Sequence, residues 1–109
     1  MHRLLITGGA GFIGSHSVEA AQEAGWQVRV LDDLSTGDRR NVPAGVEIIV
    51  GDVADAAVAA QAVAGCSAVL HLAALVSVPQ SMAEPAATLR TNTTGTAMII
   101  EAARQAGVR

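Results

Sequence analysis

The chain has 109 residues, half of them apolar and only 16% charged, with a net charge of -3. That length suits one domain able to bury roughly 65% of its unfolded surface, which excludes a disordered chain. Seven arginines are scattered along it, with no lysine and only one Phe and one Trp. No basic stripe with aromatic stacking partners exists, so nucleic-acid binding is excluded. The single cysteine, Cys66, permits neither an internal disulfide nor a cysteine-based zinc cluster and reads as a small apolar filler. No stretch nears the ~18 apolar residues of a membrane span. The apolar run Leu4-Leu5-Ile6 is too short for a signal peptide, so a cytoplasmic protein is expected. The surplus of apolar over charged residues predicts an interface on the surface.

In chain order, residues 3–7 read as a buried strand and 8–11 as a turn. Residues 12–24 read as a helix with Ile13, Val18 and Ala21 on one face, stopped by Gly25. Residues 27–31 form strand two. Residues 32–45, rich in Asp, Ser, Gly, Asn and Pro, form a loop. Strand three spans 46–50. Asp55 caps a helix over 56–64 that Gly65 ends. Strand four spans 67–72, and 73–79 form a loop. A long helix runs from about 83 to 106, with Pro85 in its first turn and Gly107 just past its end.

Strands joined through such crossovers must lie parallel. The expected architecture is an α/β doubly wound sheet in the order 3-2-1-4. This is the first part of a Rossmann fold, occupying residues 1–109 as one domain without a second.

The chemistry sits in Thr7-Gly8-Gly9-Ala10-Gly11-Phe12-Ile13-Gly14, where Gly8, Gly11 and Gly14 are spaced three and three between a strand and a helix. Gly8 permits a tight turn. At Gly11 a side chain would collide with an incoming pyrophosphate. Gly14 lets the helix lie close on the strand. The helix N-terminus favours a doubly charged anion. A glycine triplet is weak evidence alone, and a Gly-rich turn without a ligand is the plain alternative.

Three further features agree with dinucleotide binding. Asp32, at the end of strand two, can accept from both adenosine ribose hydroxyls and would repel a 2′-phosphate, which selects NAD over NADP. Arg39 and Arg40 lie seven and eight residues further on and could complicate that preference. Gly51-Asp52-Val53 follows strand three. Asp52 can reach the adenine amino group and Val53 can offer its amide and an apolar edge, although Asp52 also fits a simple turn-capping role. Small residues in His71-Leu72-Ala73-Ala74 let a cofactor pass close to the backbone. His71, inside an apolar strand, reads as a packed, hydrogen-bonded core residue rather than a catalytic base.

With these motifs in hand, the chain resembles the N-terminal part of the extended short-chain dehydrogenase/reductase family, and within it the NAD-dependent nucleotide-sugar epimerases and dehydratases of the UDP-glucose 4-epimerase kind. The stretches TGGAGFIGSH (7–16), LDDLSTG (31–37), GDVAD (51–55), HLAALVSVPQS (71–81) and TNTTGT (91–96) carry the likeness. The resemblance implies that Phe12 and Ile13 present backbone amides to the pyrophosphate. It implies that Asp33, Leu34, Ser35, Thr36 and Gly37 line the adenosine end, and that Leu72, Ala73, Ala74 and Val76 line the middle of the cofactor. It also implies that Asn92 sits near the nicotinamide, unless it is merely a polar helix residue. The mid-helix Gly95 costs roughly 1 kcal/mol relative to Ala, and a close approach by the helix would explain it. Residues 77–81 match the region facing the sugar nucleotide, though an ordinary loop fits as well.

In such enzymes bound NAD transiently oxidises the sugar, and a Tyr-x-x-x-Lys pair with a Ser or Thr handles the proton. This chain has no Tyr and no Lys. The expectation is an NAD-binding module, a fragment without catalytic residues and inactive alone, that meets a nucleotide sugar only when a C-terminal part completes it. A non-catalytic dinucleotide-binding or assembly module, and a bare scaffold, are the alternatives. The apolar free edge of strand four predicts a homodimer or swapped assembly that hides it.

Overall fold

A computed structural model of the protein describes residues 2–74 and 82–108. Four parallel strands, β1 (Arg3–Thr7), β2 (Gln27–Asp32), β3 (Glu47–Val50) and β4 (Ala68–His71), form one sheet in the order β3-β2-β1-β4. The architecture is the expected α/β doubly wound sheet. The switch point falls beside β1, whose C-terminal end opens between connections that leave on opposite faces.

Alternation along the two central strands sorts side chains to the two faces. Ile6, Val28 and Val30 pack with Ala10, Val18, Ala21 and Val42 beneath helix α1 (Phe12–Glu23). Leu5 and Leu31 pack on the other face with Val53, Ala59, Ala62, Val63, Ile99 and Ala102. The latter come mostly from α2 (Ala56–Val63) and from the last helix. Both faces of β1 and β2 are therefore covered, as an all-parallel sheet requires.

Local signals explain the element ends. The Asp55 carboxylate accepts from the amides of Ala57 and Val58 at 2.9 and 3.3 Å, capping α2. After α1, Gly25 and Trp26 donate back to Gln22 and Ala21, closing its end. A 3-10 turn over Arg39–Asn41 punctuates the long β2–β3 connection, capped by Asp38. The Arg40 guanidinium beside Asp38 holds that carboxyl down to about 2.

The last helical stretch differs from the expected uniform helix. It divides into α3 (Pro85–Leu89), a π-helical segment (Arg90–Gly95) and α4 (Thr96–Ala106). Thr91, Asn92, Thr93 and Thr94 are all mediocre helix formers, and the close packing of Gly95 described below favours a local widening over a regular turn.

Arg29 is the one buried cation among the described residues, 8% exposed within β2. Its guanidinium donates to the carbonyls of Ala62 and Ala64 at 2.8 and 2.7 Å, and its Nε to Glu47 at 2.6 Å. The last carbonyls of α2, which have no partner within a helix, thus gain a charged donor. Burial pushes the neighbouring Cys66 thiol up, with Arg29 opposing it, so Cys66 stays a neutral thiol in the core.

Candidate functional site

A cleft of about 380 Å³ opens at the C-terminal ends of the strands, where doubly wound sheets bind ligands. It is lined by Gly8, Gly11, Phe12, Ile13, Gly14, Asp32, Asp33, Ser35, Thr36, Gly37, Gly51, Val53, Leu72, Ala73, Ala74 and Thr91. Fourteen of these are residues that the sequence assigns to the cofactor; Gly51 and Thr91 stand in the quoted motifs without such an assignment.

The glycine turn shows why Gly8, Gly11 and Gly14 are there. Gly8 has a φ of +72°, a left-handed conformation, and a Cβ on it would sit 2.9 Å from the Ala73 nitrogen. A Cβ on Gly14 would strike the Gly8 carbonyl oxygen, so helix and strand could not approach. Gly11 differs, because the nearest protein atom to its Cβ would be the Gly8 oxygen at 3.4 Å. The protein's own packing barely restricts that position. What a side chain there would occupy is the cleft itself, at the N-terminus of α1. Gly11 is also the N-cap of α1 and has no side chain with which to cap it. The amides of the first turn and the helix dipole therefore face the cleft. These features fit a pyrophosphate.

Asp32 is 8% exposed at the end of β2 and is oriented by two backbone donors. Its Oδ2 accepts from the Ala10 amide at 3.0 Å and its Oδ1 from the Leu34 amide at 2.8 Å. An ionised carboxylate has about four acceptor positions, so each oxygen keeps capacity for one more donor. Two vicinal hydroxyls match that arrangement. The Ala10 carbonyl in turn accepts from the Asp38 amide and from Asn41 Nδ2, both at 3.0 Å. A Cβ on Gly37 would lie 2.9 Å from the Ala10 carbonyl carbon. The β2–β3 loop and the glycine turn are thereby latched together through Ala10. Asp33 Oδ1 accepts from the amide and hydroxyl of Ser35 at 2.9 and 2.8 Å, shaping the loop wall.

Three expected residues among those described, Leu34, Asp52 and Asn92, are not in the cleft lining. The Leu34 side chain packs against the apolar layer beneath α1 rather than lining the cleft, and its φ of +62° is held by the hydrogen bond to Asp32. Asp52 is absent from the cleft lining. Its Oδ1 accepts from the Ala54 amide at 2.8 Å and its Oδ2 pairs with Arg90 at 3.0 Å, so the turn-capping alternative describes its contacts. Asn92 is exposed and outside the lining, and the neighbouring Thr91 takes the wall position. Val76 and residues 77–81 lie outside the described residues.

His71 is half-buried and hydrogen-bonded at both ring nitrogens, Nδ1 to the Thr7 hydroxyl at 2.6 Å and Nε2 to the Thr96 hydroxyl at 3.0 Å. Burial holds its pKa below the ordinary value. It does not line the cleft, which agrees with a structural histidine. Thr7 and Thr96 escape the sequence reading; their one signal is their place within the flanking motifs. Among the described residues no cluster of His, Cys, Asp or Glu could hold a metal ion, and no helix is long and apolar enough to cross a membrane.

Known proteins share this fold. The UDP-glucose 4-epimerase of Azospirillum brasilense is 37% identical over 97% of the chain and 31% of that protein. The dTDP-glucose 4,6-dehydratase of Mycobacterium tuberculosis is 43% identical over 98% of the chain and 34% of that protein. Among solved structures, the UDP-glucose 4-epimerase of Thermus thermophilus, in complex with NAD, superposes with a TM-score of 0.92 at 43% identity, covering 98% of the chain and 35% of that protein. The chain thus spans about a third of the length of the relatives it matches. Residues 4–109 match the NAD dependent epimerase/dehydratase family, and the chain belongs to that family.

Proposed function

We propose that the cleft binds NAD and that the chain is the cofactor-holding part of a nucleotide-sugar epimerase or dehydratase. The observation that carries this reading is the convergence of Gly11 at the uncapped N-terminus of α1 with the doubly anchored Asp32 carboxylate. The pyrophosphate takes the amides of the first turn of α1, including those of Phe12 and Ile13. The adenosine ribose takes Asp32, beside a wall of Asp33, Ser35, Thr36 and Gly37. Leu72, Ala73 and Ala74 let the cofactor pass close to β4. Val76 and Asn92 remain proposed contacts toward the nicotinamide, and Leu34 and Asp52 contribute through backbone or rim rather than through the cleft wall.

When bound, NAD supplies reversible hydride acceptance. The residues of this chain bind and orient; with no Tyr and no Lys they provide no Tyr-x-x-x-Lys acid/base. The sugar nucleotide and the proton-handling residues belong to a complete enzyme, and the chain alone is inactive in turnover. A cytoplasmic location is part of the same proposal. Calorimetric titration with NAD and NADP, on the wild type and Asp32→Ala, tests it. NAD binding that exceeds NADP binding, with the difference erased in Asp32→Ala, supports the reading. A folded chain that binds neither dinucleotide overturns it.

The exposed edge of the sheet favours a second reading, in assembly. Leu70 is 38% exposed on β4, and Val69, Ile99 and Ile100 line an apolar groove beside it. We propose that a second copy covers this edge, giving a homodimer. Sedimentation showing only monomer at high concentration overturns that arrangement.

A further inference from the structure

The π-helical segment Arg90–Gly95 is held by contacts from two separate parts of the fold, the β3–α2 connection and the end of β4. At its start, Arg90 pairs with Asp52 in the β3–α2 turn at 3.0 Å. At its end, a Cβ on Gly95 would lie 2.5 Å from Val53 Cγ2, so this side packs directly on the cleft wall. Just beyond it, the Thr96 hydroxyl meets His71 Nε2 at 3.0 Å and the Asn92 carbonyl at 2.9 Å. Single-turn π segments concentrate at functional sites. This one puts Thr91 into the cleft lining.

The hydrogen count orders the protons along this chain of contacts. Thr7 Oγ1 accepts from the Ala73 amide at 3.1 Å and shares the Leu72 amide, at 3.0 Å, with the Thr7 backbone carbonyl, at 3.1 Å. With two amides aimed at its acceptor side, its one proton is directed to His71 Nδ1. The neutral ring carries its own proton on Nε2 and donates it to Thr96 Oγ1. The Thr96 hydroxyl donates in turn to the Asn92 carbonyl, inside the π segment. We infer that Thr7, His71 and Thr96 form a proton-ordered clasp that ties the ends of β1 and β4 to the π-helical segment and so sets where the Thr91 wall stands against the cleft. His71 and Thr96 are positioning residues in this arrangement; neither lines the cleft. The functional half of the inference rests on the cleft being the NAD site.

The test combines nitrogen NMR of the His71 ring, amide exchange across residues 91–97, and NAD titration, on the full chain and on Thr96→Val and Thr96→Ser. The clasp requires the proton on Nε2 with Nδ1 bare. In Thr96→Val, exchange across the segment rises roughly tenfold or more as its tether is lost. NAD affinity falls about three- to tenfold through lost preorganisation, and Thr96→Ser keeps both near wild type. A proton on Nδ1, or unchanged exchange in Thr96→Val, overturns the clasp. Faster exchange with unchanged NAD affinity overturns the positioning role. Should the wild type bind no NAD, the cofactor reading falls, while ring tautomer and exchange still decide the clasp. Should Thr96→Val fail to fold, the wild-type ring tautomer decides it: a proton on Nε2 supports the clasp and a proton on Nδ1 overturns it.

Discussion

The amide of Ala10 donates to Oδ2 of Asp32 across 3.0 Å, joining the glycine turn to the end of the neighbouring strand. One carboxylate therefore serves the fold and, in the proposed NAD site, the ligand as well. It anchors two backbone amides and still presents acceptor capacity to the cleft.

Removing it should cost both properties. Asp32→Ala leaves the buried Ala10 amide and the part-buried Leu34 amide without their acceptor, a loss of about 1–3 kcal/mol in stability. Asp32→Asn keeps one acceptor oxygen and should fall between wild type and Asp32→Ala. Urea midpoints for the three chains check the order, and a wild-type midpoint for Asp32→Ala would contradict it.

The glycines at 11 and 14 should behave oppositely under the same substitution. Gly14→Ala forces a methyl into the Gly8 carbonyl and should destabilise by about 1–3 kcal/mol. Gly11→Ala meets only one atom at 3.4 Å, and as an N-cap change it should cost under about 1 kcal/mol. Its methyl enters the cleft instead, so NAD affinity should drop at least about tenfold, a loss of 1.4 kcal/mol in binding. Thermal melts paired with NAD titrations separate the two effects.

Arg29→Met should be among the most damaging single changes. The methionine fills much of the volume but leaves the Ala62 and Ala64 carbonyls without their donor, and the expected loss is about 2–4 kcal/mol. Glu47→Gln should cost less than about 1 kcal/mol, because Glu47 is largely exposed and Arg29 retains its carbonyl partners. Comparable losses for both variants would show that the ion pair, rather than the capping, dominates.

His71 predicts a pH dependence of stability. Burial lowers its folded-state pKa below the ordinary 6.5, so the folded ring stays neutral where the unfolded ring has begun to bind a proton. The unfolded state then holds more protons, and stability is lost as pH falls below about 6.5 toward the folded value. Arg104, on the same groove, is paired with Glu101 at 2.6 Å, so burial remains the cause of the shift. For one proton the slope cannot exceed about 1.4 kcal/mol per pH unit. Denaturation at pH 7 and pH 5 should show the wild type losing more than His71→Gln; equal losses would contradict it.

Much of this was legible before the fold was seen, and the reasons are local. The glycine spacing sits between an apolar run and a helical run, so Gly8, Gly11 and Gly14 carry their context with them. Asp55 and Gly25 mark helix ends by chemistry acting over a few residues. The pairing of Asp52 with Arg90 was not legible, since it joins residues 38 apart. The break in the last helix left only the run Thr91-Asn92-Thr93-Thr94 as a hint, because low propensity alone does not distinguish a widened turn from an ordinary one. The direction of the Leu34 side chain is not legible, because a loop residue next to Asp32 can turn either way, and its left-handed backbone sends the side chain to the core.

The sheet order has a consequence for how the cleft opens and closes. β1 and β2 are paired on both sides, and Leu5, Ile6, Val30 and Leu31 within them are wholly shielded, whereas among the described residues β3 and β4 are paired on one side only, with Val50 and Leu70 exposed. Local opening free energies should therefore rise from the rims of the sheet to its middle. Gly8 and Asp32 stand on the last ground to give way. Gly51, Ala73 and Thr91 stand on ground that yields earlier. A dinucleotide would meet a fixed floor with adjustable banks, gripping through the floor and admitting or releasing its ends at the banks.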